Sequence, residues 1–407
     1  MKVVIIGGGA AGLLAAAKAR DNGNSVTVIE RNPRVARKVM ITGKGRCNLT
    51  NACDFNEFLD NVPRNPKFMF SALMSFGTQD IMDYVEAQGV PLKMERGNRV
   101  FPCSDRAVDV VDALYRACKG CRFLFGKRAT ELAVEDGCVK GVRLDSGEYI
   151  AADSVIVATG GMSYSATGSD GDGYRFARSV GHNVTPLRPS LIPLEIEEGF
   201  CKDLMGLSLR NVTLRLVKGC KAIYEDFGEM LFTHFGISGP IVLSASAHID
   251  DTDGVLVELD LKPALTFEQL DARVLRDFEK YSNRELQNAL DELLPKRMIN
   301  IVISAAKLDP TVRVNQMSKS MRTALITCIK RFSMTVKGFR PIDEAIITRG
   351  GVSVREIDPK TMESKLCKGL YFAGEVLDVD GYTGGFNLQI AFSTGAAAGN
   401  AQSFKEI

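Results

Sequence analysis

The chain has 407 residues, 45% hydrophobic and 25% charged, which is enough for two or three globular domains with sizeable cores. Its 51 basic and 49 acidic residues leave a formal net charge of +2, so charge gives no reason to expect a nucleic acid or an anionic membrane as partner. Ten scattered cysteines suggest reduced thiols, and no segment reaches the roughly 18 uninterrupted apolar residues of a membrane helix, so a cytoplasmic protein is expected, its oligomeric state left open.

Lys2 to Ile6 is an apolar strand running into Gly7-Gly8-Gly9-Ala10-Ala11-Gly12. An Ala-rich helix follows, then a second strand, Val26 to Ile29, closing on Glu30. Strand, G-x-G-x-x-G turn, helix, strand and terminal acid together form a dinucleotide-binding fingerprint. Gly7 permits the tight turn, Gly9 lets the backbone approach a pyrophosphate, and Gly12 lets the helix pack close to the strand. Helix amides near Ala11 then face the phosphates, and Glu30 is placed to accept ribose hydroxyls.

Past Glu30 the sequence turns basic at Arg31, Arg37 and Lys38. A glycine-rich loop from Thr42 to Asn51, containing Gly45, Arg46, Cys47 and Asn48, suits a phosphate or the polar edge of a heterocycle. Residues 67–89 and 105–118 read as helices, with irregular chain around Arg99 to Pro102. Cys118-Lys119-Gly120-Cys121 has no second pair and no nearby His, which argues against zinc. A β-rich stretch from Arg122, passing Ala129, ends in a strand closing on Ala158-Thr159-Gly160-Gly161, small residues past which a cofactor can lie close to the backbone. Gly168 to Gly173 then precedes a helix and offers a further anion or cofactor contact at its N-terminus.

Composition changes near Pro186 to Pro193. Short alternating strands from Leu194 to Leu261 predict a small β-barrel, and it carries His234 in a glycine-rich motif. Residues 266–332 change to helical period, with capping-box spacings at Thr266/Gln269 and Ser282/Glu285. The last 65 or so residues return to α/β: a strand closes on Ala373-Gly374-Glu375, and Gly384-Gly385-Phe386-Asn387-Leu388 starts a final helix. The expected fold is therefore α/β, a Rossmann-like domain (1–188 and 342–407) interrupted by an insert made of a β-barrel (189–264 and 333–341) and a helical subdomain (265–332).

Three elements far apart in sequence, residues 7–30, 158–161 and 374–388, together resemble the glutathione-reductase-like FAD superfold. The longer blocks Gly45 to Asn51, Phe232 to Pro240, Gly374 to Gly381 and Thr383 to Gln389 resemble the BaiN-like (YhiN-like) bacterial flavoproteins, and the resemblance covers essentially the whole chain. Lys44 departs from it, standing where family members often have glycine. The resemblance implies FAD held by these elements, Glu375 and Asp378 included, with the last helix directing its positive end at the flavin. It also implies hydride transfer to a carbon–carbon double bond conjugated to a ketone, since the namesake reduces 3-oxo bile-acid intermediates. NAD(P)H is the expected donor, binding transiently because no second complete fingerprint exists. Tyr164, Tyr382 and His234 are the candidate proton donors, a phenol or imidazole being able to serve a developing enolate. Arg349 is a candidate for a substrate carboxylate or the flavin edge. The alternatives are an amine or aminoketone oxidase using O2, a non-catalytic flavin-binding protein, and an RNA-modifying flavoprotein, the last disfavoured by the near-neutral charge. The expected partner is a small molecule, with neither nucleic acid nor membrane.

Overall fold

Lys2–Ile6 and Ser154–Val157 are apolar almost throughout because they are buried on both faces, as the strands of a covered parallel sheet must be. In the computed structural model, which describes residues 1–403, they form the centre of a five-stranded parallel sheet. Its order is Leu370–Phe372, Ser154–Val157, Lys2–Ile6, Ser25–Glu30 and Arg122–Phe125. This sheet belongs to a compact unit made of Met1–Ser190 and the chain from Ile342 onward; Leu191–Pro341 forms the other.

The first helix, Ala10–Asp21, packs on the last, Phe386–Asn400. Small residues make this approach possible: a Cβ on Gly395 would lie 2.4 Å from the Ala11 carbonyl oxygen, and one on Gly399 would lie 2.6 Å from that of Ala15. The single helix expected over 67–89 is two, Pro66–Ser75 and Thr78–Ala87. The chain breaks at Phe76-Gly77, where the Gly77 amide donates to the Asp80 carboxylate at 2.7 Å and so starts a new helix. The stretch expected to be irregular holds a strand, Arg99–Pro102, between Thr50–Asn51 and Leu92–Glu95. Cross-strand pairing supplies order that local pattern does not announce.

In the second unit six strands close a barrel: Leu194–Ile196, Gly236–Ser238, Lys221–Phe232, Ser208–Lys218, Val255–Asp260 and Phe332–Phe339. Helices Phe267–Lys280, Lys296–Ala305 and Lys319–Lys330 share its apolar core, which includes Leu214, Val257, Leu270, Val302 and Ile326. Thr266 and Gln269 form the expected capping box, each side chain bonding the other's backbone amide. Ser282 and Glu285 do not. Glu285 is itself extended and bridged to Arg313, and the next amide, of Leu286, donates to Val312, so the short helix begins only at Leu286. Among the described residues no helix is long and apolar enough to cross a membrane.

Candidate cofactor site

The parallel strands end at a cleft in the first unit, where chain segments some 150 and 370 residues apart meet. Its empty space is about 1290 Å³, counted to the open mouth. Each glycine of the fingerprint has a separable task. Gly7 stands at φ +103, and a Cβ there would lie 2.5 Å from the Ala158 carbonyl oxygen. On Gly12 a Cβ would lie 1.9 Å from the oxygen of Gly7, so Gly12 serves packing and does not line the cleft. On Gly9 a Cβ would meet nothing within 4 Å, because it would point into the cleft. Ala10 and Ala11 follow at the start of the first helix, which has no side-chain cap. Its amides are left for an anion.

Glu30 is 6% exposed and rigidly held: one oxygen accepts from the Gly8 amide at 2.9 Å, the other from the backbone and side-chain amides of Asn32 at 2.8 Å each. Beside it Arg31 pairs with Asp170, and Arg128 pairs with Asp170 (2.9 Å) and Asp172 (2.7 Å). Arg37 donates to Asn32 at 2.8 Å. Ala129 completes this end. Asn32, Arg128, Asp170 and Asp172 were not anticipated as site residues; the Gly168–Gly173 loop was the only signal, read for its helix end rather than its carboxylates.

Along the middle, Lys38 and Glu375 form an ion pair at 2.7 Å, largely shielded from solvent. Lys38 also donates to the Ser163 hydroxyl at 2.6 Å. The second oxygen of Glu375 accepts from the Thr348 amide at 2.9 Å and from Ser163 at 3.0 Å. Thr348 Oγ1 in turn accepts from the amides of Met162 (2.7 Å) and Ser163 (3.1 Å). Basic loop, second glycine element and A-G-E turn are thus tied by one polar network. Ala158, Thr159, Gly160 and Gly374 line the same wall.

At the far end the last helix begins behind Gly385, which is at φ +104. Asn387 and Leu388 line the cleft. The Asn387 side chain clasps Gly381, accepting from its amide at 2.8 Å and donating to its carbonyl at 2.7 Å. The Gly45 to Asn48 block braces this helix end from outside the lining. With its amide oriented to suit both neighbours, Asn48 donates to the Thr50 carbonyl (3.2 Å) and accepts from the Gly385 amide (3.1 Å). Gly45 and Lys44 are exposed, Lys44 in the left-handed region at φ 60 that a glycine would occupy without strain. Arg46 is engaged by Glu95 and Asp105 and lies over the Phe101 ring. Cys47 is fully buried, and burial pushes its thiol up to about 12, which suits packing and not redox chemistry. Asp378, 4% exposed, pairs with Arg64 outside the cleft.

Of the candidate proton donors in this unit, neither Tyr164 nor Tyr382 lines the cleft. Tyr164 lies next to the network, at φ 51, with Lys38 Nζ 5.9 Å from its ring centre. Tyr382 packs on the core beside the Asn387 clasp, and its amide donates to Asn61. His234 is exposed in the barrel, edge-on to Phe235 at 5.0 Å. Cys118 and Cys121 both cap carbonyls of the first helix, those of Leu13 and Ala16. Among the described residues no cluster of three or more His, Cys, Asp or Glu side chains is set to hold a metal.

The residues present fit FAD. A buried hydroxyl, Thr159 Oγ1, has no hydrogen-bond partner, Gly9 leaves room for close approach, and two uncapped helix N-termini open on the same cleft. A Rossmann-type sheet interrupted by a closed barrel, with these three elements on one cleft, defines an FAD-dependent oxidoreductase. The chain belongs to the HI0933-like Rossmann family, whose profile, described as "HI0933-like protein Rossmann domain", matches residues 1–401. It is 32% identical to a 3-dehydro-bile acid delta(4,6)-reductase of Clostridium scindens over 98% of each chain. It is 34% identical to a ribosomal RNA dihydrouridine synthase of Haemophilus influenzae, covering 97% of this chain and 96% of that one. Among solved structures, a 3-ketosteroid delta1-dehydrogenase of Sterolibacterium denitrificans shares the fold, with TM-score 0.53, 13% identity and 98% coverage of each chain.

Proposed function

We propose that the protein reduces a carbon–carbon double bond conjugated to a carbonyl, with NAD(P)H as electron donor and a 3-oxo-4-ene steroid or bile-acid intermediate as substrate class. The observation that carries this reading is the convergence of the Gly7–Glu30, Ala158–Gly160 and Gly374–Leu388 elements on one cleft, in a chain aligned end to end with a bile-acid reductase. Bound there, FAD would supply hydride transfer between the nicotinamide donor and the electron-poor alkene. The backbone at Gly9 to Ala11 would take the pyrophosphate, and Glu30 the ribose. Lys38 and Glu375 would fix the chain between the rings, and the last helix's N-terminus would stabilise negative charge on the flavin. Ile347 and Val379, both buried, give the cleft part of its apolar lining.

A second reading has its own support. The Haemophilus influenzae relative is named for dihydrouridine synthesis in ribosomal RNA. The double bond of uracil is also conjugated to a carbonyl, so the same chemistry would serve a nucleobase, against the charge-based expectation of no nucleic acid. The test is anaerobic reduction of the FAD-loaded protein by NADH and by NADPH, followed by reoxidation. Rapid reoxidation by a 3-oxo-4-ene steroid supports the first reading, and by ribosomal RNA the second. Reoxidation by oxygen alone overturns both and favours an amine or aminoketone oxidase.

A further inference from the structure

The loop joining Glu375 to the last helix carries two aspartates that flank Val379, a residue of the cleft wall. Their environments differ. Asp378 is taken up by its ion pair with Arg64. Asp380 is 1% exposed; one carboxylate oxygen accepts from the Ser190 hydroxyl at 3.2 Å, and the other has no hydrogen-bond partner. A buried carboxylate oxygen left unsatisfied is costly and calls for a reason. The charged groups that bear on it are Arg349, Arg64 and Asp378. Arg349, 7% exposed, ends the strand Ile347–Arg349, whose neighbours Ile346 and Ile347 line the cleft. Arg188 stands directly opposite Arg349 on the paired strand. Arg64 is bridged to Asp380 through the backbone, and Asp378 lies on its own loop. By contrast, Glu30, Glu375, Asp170 and Asp172, the carboxylates that line the cleft, are each occupied by hydrogen bonds or arginines.

We propose that Asp380 is the proton-coupling residue of the cofactor cleft: a buried carboxyl behind the Val379 wall that takes up a proton when the cofactor gains negative charge on reduction and releases it on reoxidation. The inference rests on the cleft holding FAD. Burial pushes the Asp380 carboxyl up to about 6, against the opposing pull of Arg349, so at neutral pH it is ionised and within reach of protonation. With FAD bound, its reduction would take up the donor's two electrons together with one proton, as hydride. A second proton, from solvent, converts Asp380 from carboxylate to acid, and both changes reverse on reoxidation. Asp380 is thereby a positioning residue for charge, acting through the field and not by contact.

The test is the reduction potential of the FAD-loaded protein against pH, from about pH 5 to about pH 8. One extra proton per two electrons steepens the dependence by about 29.6 mV per pH unit, a tenfold change in the equilibrium per unit. In the wild type this added slope is expected above about pH 6, where Asp380 is ionised before reduction. Asp380→Asn is permanently neutral. Its potential should meet the wild-type curve at the acid end and lie increasingly above it as pH rises. Ser190→Ala removes a donor to the charged form, so the steeper window should move to higher pH. Parallel wild-type and Asp380→Asn curves overturn the proposal. If Asp380→Asn does not fold, an unmoved window in Ser190→Ala overturns it equally. Failure of the wild type to bind FAD removes the cofactor reading and the proposal together, a result distinct from either. None of these outcomes depends on which alkene is reduced.

Discussion

Replacing Gly9 and Gly12 by alanine separates cofactor binding from folding within one turn. Gly9 has φ −81 and ψ −169, an extended conformation that alanine adopts freely, and its new methyl would have no atom within 4 Å. The apo protein should be unchanged or more stable by roughly 0.4–1 kcal/mol, because alanine restricts the unfolded chain. The methyl would, however, stand where the pyrophosphate approaches. Loss of one charge-assisted amide–phosphate bond costs about 1.5–3 kcal/mol, so the FAD Kd should rise roughly 10- to 100-fold. Gly12→Ala reverses the pattern. Its methyl would lie 1.9 Å from the Gly7 oxygen and 3.1 Å from the Gly7 carbonyl carbon, both backbone atoms that no rotamer change can move aside. Forcing helix and strand apart should cost about 1–3 kcal/mol even without FAD. Urea denaturation of the apo proteins and quenching of flavin fluorescence measure the two quantities independently. Normal FAD affinity in Gly9→Ala would refute the placement of the pyrophosphate, and a wild-type apo midpoint in Gly12→Ala would refute the packing argument.

Three further outcomes are expected. Glu375→Gln leaves Lys38 without its counter-charge in a largely shielded network; apo stability should fall by roughly 1–3 kcal/mol, and an unchanged urea midpoint would show that the network is solvated. Alkylation of the native protein near pH 8 should label the exposed Cys103 and Cys220 first and Cys47 only after unfolding, and peptide mass spectrometry that finds Cys47 modified in the native state contradicts its burial. His182 is lowered by burial, against the opposing effect of Glu356, so the folded state binds fewer protons than the unfolded one. Its contribution is present above the unfolded value of about 6.5 and is lost as pH falls below it; the denaturation midpoint should drop there in the wild type and less so in His182→Phe, and equal pH slopes would exclude the residue.

Much of this was legible in the sequence because the decisive signals are local. Gly7, Gly9, Gly12 and Glu30 sit within one strand–helix–strand unit whose geometry dictates their spacing. The Thr266/Gln269 box and the alternation of Val255 to Leu259 likewise report their own element. The Rossmann class, the barrel and FAD follow from such signals. Tertiary structure decided which residues meet. Arg46 and Cys47 belong to a block read from the sequence as suited to a phosphate or heterocycle, yet Arg46 is engaged by Glu95 and Asp105, and Cys47 is enclosed. Nothing in the local pattern announced that Lys38 would find Glu375, or that Asp380 would keep one oxygen unpaired beside Arg349. Such pairings join residues up to several hundred positions apart, and burial sets their energies. Spacing along the chain carries the first kind of information; only the closed fold fixes desolvation and long-range partners, and with them the charge state of the cleft.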